Sequence, residues 1–128
     1  MYVCTNTLVG SNNMGLEDIT SDYILNDGQV VSADIEFGEV PSATITLKAR
    51  KRNRNKVIEE RIVKLRLTHL THVDIVDDFT SKYYSDITVT RLENGDYYVA
   101  LDPYDNSNVP KEQDNFVFKG KILELREE

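Results

Sequence analysis

Two histidines three residues apart, His69 and His72, followed by Asp74, Asp77 and Asp78, have the side-chain types of a metal site. Imidazole with carboxylate suits zinc and related divalent ions. On a straight strand, positions three apart point to opposite faces, so these histidines can share an ion only across a bulge. Sheet-surface histidines account for the same residues. A second oxygen-rich set, Asp102, Asp105, Asn106 and Asn108 in "DPYDNSN", has calcium-like chemistry. Its spacing is not that of a helix–loop–helix calcium site, and it lacks the glutamate at the twelfth position. Asp, Asn and Ser bonding their own backbone in turns explain the stretch as well. Cys4 carries no mark of an activated nucleophile and reads as a buried structural thiol. No serine lies in a nucleophile-elbow pattern, and no glycine-rich phosphate loop occurs. The residues therefore lead us to expect no catalysis, no cofactor and no metal.

The remaining chemistry is charge. "KARKRNRNK", Lys48 to Lys56, carries six positive charges in nine positions of a chain whose net charge is −7. Lys48 to Arg66 holds nine Lys or Arg and two Asp or Glu, which leaves six and twenty for the rest. Arg50, Arg52, Arg54 and Lys56 could grip a phosphate group or a nucleic-acid backbone. A solvated hairpin end, with cations that discourage edge-to-edge pairing, uses the same residues. An acidic remainder repels nucleic acid and membranes and favours basic partners. Tyrosines collect in that acidic half: Tyr83, Tyr84, Tyr97, Tyr98 and Tyr104. Tyrosine beside carboxylate gives rigid contact area with acceptors for a partner's arginines. On this ground Asp77, Asp78, Tyr83, Tyr84, Asp102, Tyr104 and Asp105 are the candidate partner-binding residues.

The elements that must position these groups alternate with period two. Residues 1 to 9 read as a short strand and Gly10 to Gly15 as a turn. "LEDITSDYILNDG" has Leu16, Ile19, Tyr23 and Ile24 at helical offsets, with Asn26 to Gly28 as a stop. From Gln29, alternation places Val31, Ala33, Ile35 and Phe37 on one face. Ala43, Ile45, Leu47 and Ala49 then point inward, as do Val63, Leu65 and Leu67. A five-residue loop at Asn53 to Val57 makes these two strands an antiparallel hairpin. Its register sets Leu47 opposite Val63, Lys51 opposite Glu59 and Arg50 opposite Glu60, with unlike charges facing each other. We expect this hairpin to protrude as a basic ribbon from an otherwise acidic sheet. The alternation slips near Leu70, which predicts a bulge there. Asn94-Gly95 predicts a type I′ turn joining strands Asp86–Leu92 and Tyr97–Asp102. That register puts Leu92, Tyr97, Val99 and Leu101 on one face and Ile87, Val89 and Tyr98 on the other, so the hairpin is central or covered on both sides. Pro103 to Asn115 is a polar loop of the length that often carries function. A last strand, "FVFKGKILELRE", changes its apolar face near Gly120, which predicts a bulge or bend.

The chain has 128 residues, which suits a single domain over 1–128 with its own core. Only one cysteine is present, so a reducing cytoplasm is the expected home. No apolar run approaches the ~20 residues of a membrane span, and the opening residues lack a signal-peptide pattern.

The blocks "LRLTHLTHVDIVDDF", "SDITVTRLENGDYYVALDP" and "DNFVFKGKILEL", in that order, resemble small β-rich immunity proteins of bacterial polymorphic toxin systems. The likeness covers the layout of roughly residues 26 to 125. It implies a bacterial protein that binds and blocks a cognate toxin and has no catalysis of its own.

The expected fold is mainly β, about seven strands in antiparallel hairpins forming a curled sheet or small sandwich, with at most one short helix. The expected function is inhibitory protein binding, with a basic toxin as partner, by a monomer or homodimer. The alternative is a phage or mobile-element accessory protein that contacts nucleic acid or a phosphate ligand through the basic tip.

Overall fold

The computed structural model describes residues 16–52, 58–75, 83–84 and 86–128. The Asn53 to Val57 loop, Asp77, Asp78, Cys4 and the strand expected at residues 1 to 9 lie outside the described residues. Among the described residues one helix, α1 (Leu16–Asp22), precedes seven strands: β1 (Tyr23–Glu36), β2 (Ser42–Arg52), β3 (Ile58–Asp74), β4 (Tyr83–Tyr84), β5 (Thr88–Arg91), β6 (Tyr97–Asp102) and β7 (Asn115–Glu127). They form a single antiparallel sheet in the order β4-β1-β2-β3-β7-β6-β5.

Chain connectivity forces this sheet to curl. β4 and β5 lie at opposite ends of the strand order, yet only residues 85–87 join them. Six interstrand spacings of about 4.8 Å would separate them by about 29 Å in a flat sheet. The four residue steps from Tyr84 to Thr88 reach at most about 14 Å. The sheet therefore wraps round until its two edges approach. Helix α1 plugs the curl, touching β1, β5 and β7, with Ile19 wholly buried. The core lines the inner face: Ala43, Ile45, Leu47 and Ala49 of β2; Val63, Leu65 and Leu67 of β3; Leu123 and Leu125 of β7; and Val89, Val99 and Leu101 of β5 and β6.

The β2–β3 hairpin has the register that alternation predicts, with Leu47↔Val63, Ile45↔Leu65, Lys51↔Glu59 and Arg50↔Glu60. It does not stand apart as a ribbon. β1 and β7 flank it as far as Tyr23↔Lys51 and Val63↔Glu127, so the basic strands are the middle of the sheet. Their charges also pair elsewhere than across the ladder. Lys51 Nζ lies 3.0 Å from Glu127, and Glu59 pairs with Arg61 on its own strand.

Three other expectations are corrected. The helix ends at Asp22, and Tyr23 opens β1 six residues before the alternation becomes visible at Gln29. Two register shifts in β1, one spanning Asp27 at φ 56° and one at Val31, hide the period. Ala33 and Ile35 share a face with Ile45 and Ala43 as expected, but the second shift turns Val31 outward, and Phe37 lies beyond the strand, 89% exposed. In the β5–β6 hairpin only Gly95 has positive φ, so the turn is not type I′. Leu92 and Asp96 close a three-residue loop, with Gly95 N donating to Leu92 O at 2.9 Å. Val89 consequently pairs with Val99 and faces the core, while Tyr98 faces out. The hairpin is covered on both faces but is not central, since β5 is an edge.

The bulge near Leu70 is present: the β3–β7 register shifts between Leu70 and His72, with His69 at φ 55°. Opposite it, Gly120 pairs with Leu70, and there β7 turns its apolar face from Phe118 to Leu123.

Candidate functional site

The β6–β7 loop, Pro103 to Asp114, is built round one buried carboxylate. Asp114 is 1% exposed and accepts from the Tyr98 hydroxyl at 2.6 Å, Tyr104 N at 2.8 Å and Lys111 N at 2.9 Å. These bonds lay the loop over Tyr98, Ala100 and Val117, a small apolar cluster on the outer face. Burial, then the hydrogen bond to Asp114, pushes the Tyr98 phenol above its ordinary range, so it stays a donor.

Asn108 ties the same loop to the sheet edge. Its Oδ1 accepts from Val89 N at 2.9 Å, and its Nδ2 donates to Val89 O at 3.2 Å. The side-chain amide thus does for β5 what a neighbouring strand would do. Asn108→Ala is expected to cost about 1–2 kcal/mol, the worth of two such bonds, and to increase aggregation by freeing the edge. Urea denaturation and light scattering check the two parts separately.

Held in this way, the loop presents Asp102, Tyr104 and Asp105 to solvent, with Tyr104 64% exposed. Asp105 accepts from the hydroxyl and amide of Ser107, which hold its carboxyl below the usual range. In this loop the oxygen-rich residues therefore serve turns and edge cover, while Asp102 accepts from Asn115 Nδ2 at 3.3 Å. His69 and His72 are both exposed, and His72 lies 3.9 Å from Asp74. Among the described residues no group of three His, Cys, Asp or Glu is arranged to hold a metal ion.

The loop shares one end of the sheet with the β1–β2 turn and the end of β3. Glu36 pairs with Ser42 at the turn, Leu70 N donates to Pro41 O at 3.0 Å, Asp74 pairs with Val117, and Asp102 with Asn115. Exposed apolar side chains lie on each of these segments: Phe37 and Val40 on the turn, Val73 and Ile75 at the end of β3, and Tyr104 and Val109 in the loop. Glu36, Glu39, Asp74, Asp102 and Asp105 are exposed beside them in the same segments. The Phe37–Val40 part carries no sequence signal, because alternation groups Phe37 with Val31, Ala33 and Ile35 on one face. Tyr83 and Tyr84 form β4, paired with Gln29 and Gly28, and are apart from this end in the strand order.

The opposite end carries the cations, partly neutralised. Arg50 donates to Asn26 O at 2.9 Å and Arg52 to Ser21 O at 3.2 Å, fastening β1 and α1. Arg54 and Lys56 lie outside the described residues. Opposite Lys51, Tyr23 donates to Glu127 at 2.6 Å, and Arg61 lies 3.8 Å from the same carboxylate. Burial acts to raise the Glu127 carboxyl, but the Tyr23 hydroxyl, Lys51 and Arg61 outweigh it and hold the carboxyl below its ordinary value of 4.5. A depressed carboxyl contributes stability above its unfolded value and loses that contribution as pH falls through its folded value. Stability is therefore expected to drop below about pH 4.5 more steeply in the native chain than in Glu127→Gln, as urea titrations across pH 2–6 would measure.

An open cleft of about 610 Å³ lies where the β6–β7 loop reaches β1 and Arg52, with Asp27, Arg52, Asp86, Asn106 and Asn108 around Ile24, Leu25 and Ile87. Burial pushes the Asp86 carboxyl up, against the pull of the Ile87 amide.

Comparison with protein-family models, curated proteins and solved structures finds no match.

Proposed function

We propose that this chain is a non-enzymatic protein-binding inhibitor of the immunity-protein kind, which neutralises a cationic toxin by covering its active-site cleft. One observation carries the reading: exposed apolar side chains and exposed carboxylates occur together on the β1–β2 turn, the end of β3 and the β6–β7 loop, and a buried carboxylate holds the last of these in place. Phe37, 89% exposed, is the most open large apolar side chain among the described residues. Rigid aromatic anchors with a charged surround are the usual composition of a binding hot spot. The carboxylates speed the encounter with a basic partner and fix its orientation. The pre-formed loop limits the ordering cost on binding.

The nucleic-acid reading through Arg50, Arg52, Arg54 and Lys56 has less support, since Arg50 and Arg52 already give donors to backbone carbonyls.

The test uses the product of the neighbouring reading frame. The expected result is that it arrests growth when expressed alone, that this chain restores growth, and that calorimetry detects a complex. Tyr104→Ala and the Asp102→Lys, Asp105→Lys double variant are each expected to weaken the complex at least about tenfold without loss of fold. Absence of rescue and complex, together with steeply salt-dependent oligonucleotide binding lost on neutralising Arg50, Arg52, Arg54 and Lys56, overturns the proposal.

A further inference from the structure

The outer face of β2, β3 and β7 carries a feature that toxin binding does not use. A groove of about 160 Å³ there is lined by Thr44, Lys64, Arg66, Glu124 and Arg126. Sheet register explains the convergence. Thr44, Arg66 and Glu124 lie in one row across the three strands, and Thr46, Lys64 and Arg126 in the next row on the same face. Lys64 and Arg126 are thus direct cross-strand neighbours, an arrangement of like charges that disfavours the sheet unless an anion lies between them. Lys64 Nζ has Glu128 at 2.9 Å. Arg66 and Arg126 make no hydrogen bond or ion pair with any other described residue, although Glu124 stands opposite Arg66. Two planar guanidinium forks, neither of them paired among the described residues, therefore line one small space beside an ammonium that Glu128 already holds.

We infer that this groove binds the phosphate group of a small phosphate monoester. A tetrahedral oxyanion has acceptors enough for both guanidinium forks, each of which matches two of its oxygens at once. A carboxylate ligand has two oxygens, which a single fork takes up. The site is suited to a small ligand rather than to a nucleic acid. Asp34 adjoins Thr44 on this face, Glu124 lines the groove and Glu128 pairs with Lys64, and the chain as a whole has net charge −7. A long polyanion would have to lie along those carboxylates. Glu124 sets a further condition: it competes for Arg66 and repels the ligand, so its removal tightens binding.

The experiment titrates inorganic phosphate, ribose 5-phosphate and a short single-stranded oligonucleotide into the isotope-labelled full chain, with ionic strength held constant by chloride. Saturable amide shifts are expected at Thr44, Lys64, Arg66, Glu124 and Arg126 for the first two ligands. Arg66→Gln and Arg126→Gln should each weaken them at least about tenfold, Arg126→Lys by less, and Glu124→Gln should tighten them about threefold. Unchanged thermal unfolding of these variants separates loss of the site from loss of the fold. Phosphate shifts no larger than those of chloride, or indifferent to Arg126→Gln, overturn the site. An oligonucleotide that binds more tightly per phosphate than ribose 5-phosphate overturns the assignment to a small ligand.

Discussion

Replacing Asp114 with alanine is expected to cost about 4 kcal/mol of folding free energy, the largest effect we foresee for any single polar side chain in this protein. The carboxylate accepts three hydrogen bonds, from the Tyr98 hydroxyl, Tyr104 N and Lys111 N, while 1% exposed. Bonds to a charged acceptor contribute about 1.5–3 kcal/mol each, and release of the carboxylate's own desolvation cost offsets part of the total. Alanine leaves one hydroxyl and two amides without an acceptor and opens a cavity over Val117. Asparagine does not rescue the site. All three partners are donors, so its NH₂ group must oppose at least one of them, and Asp114→Asn should still lose about 2 kcal/mol. Tyr98→Phe isolates one of the bonds and should fall between the native chain and Asp114→Ala. Urea midpoints, with the slope unchanged, measure the series. If the loop is the toxin-binding surface, Asp114→Ala also weakens the complex while Tyr104 remains in place, because the anchor has lost its support. An alanine variant as stable as the native chain would remove the premise that this loop is rigid.

Gly120→Ala is expected to cost about 2 kcal/mol, and Gly120→Val about 3. The reason is space rather than backbone angle. A Cβ at Gly120 would lie 3.2 Å from both Leu67 Cβ and the Thr68 carbonyl oxygen. Both groups belong to or adjoin the β3 backbone and cannot rotate aside, so one strand must move. This is the point at which β3 and β7 change the face they turn to the core. A shift there should propagate to Leu123 and Leu125, and amide hydrogen exchange in β7 should accelerate toward its C-terminal half. Calorimetry gives the stability change, and exchange locates it. A neutral Gly120→Ala would mean that the close approach does not determine the bend.

How far the sequence could be read depended on how regular each element is. The β2–β3 hairpin follows strict alternation for eleven pairs, so its apolar residues admit a single register, and that register is the observed one. The bulge near Leu70 and the bend at Gly120 were legible for the same reason, as interruptions of a clear period. β5–β6 failed through one residue of loop length. Asn94-Gly95 suggests two central residues, but the chain uses Glu93, Asn94 and Gly95, and a one-residue change in register turns every side chain of β5 to the other face. β1 failed because two irregularities interrupt its alternation before the period can establish itself. The acidic, tyrosine-bearing loop was visible as a candidate, whereas its organisers were not. Asp114 and Asn108 act through partners sixteen and nineteen positions away, and no local pattern indicates such partners. The row of Lys64 and Arg126 became apparent only once β7 was placed beside β3.

Strand order also bears on how the molecule comes into being. β7 is the last strand in the chain and lies between β3 and β6. As synthesis proceeds from the N-terminus, the β1–β3 and β5–β6 segments leave the ribosome before the strand that joins them. Until β7 follows, β3 and β6 each present a row of unsatisfied peptide groups to the crowded cell. Docking must therefore await Asn115–Glu127, so the pairings that close the sheet are long-range ones, which slows folding and gives chaperones a defined interval in which to act.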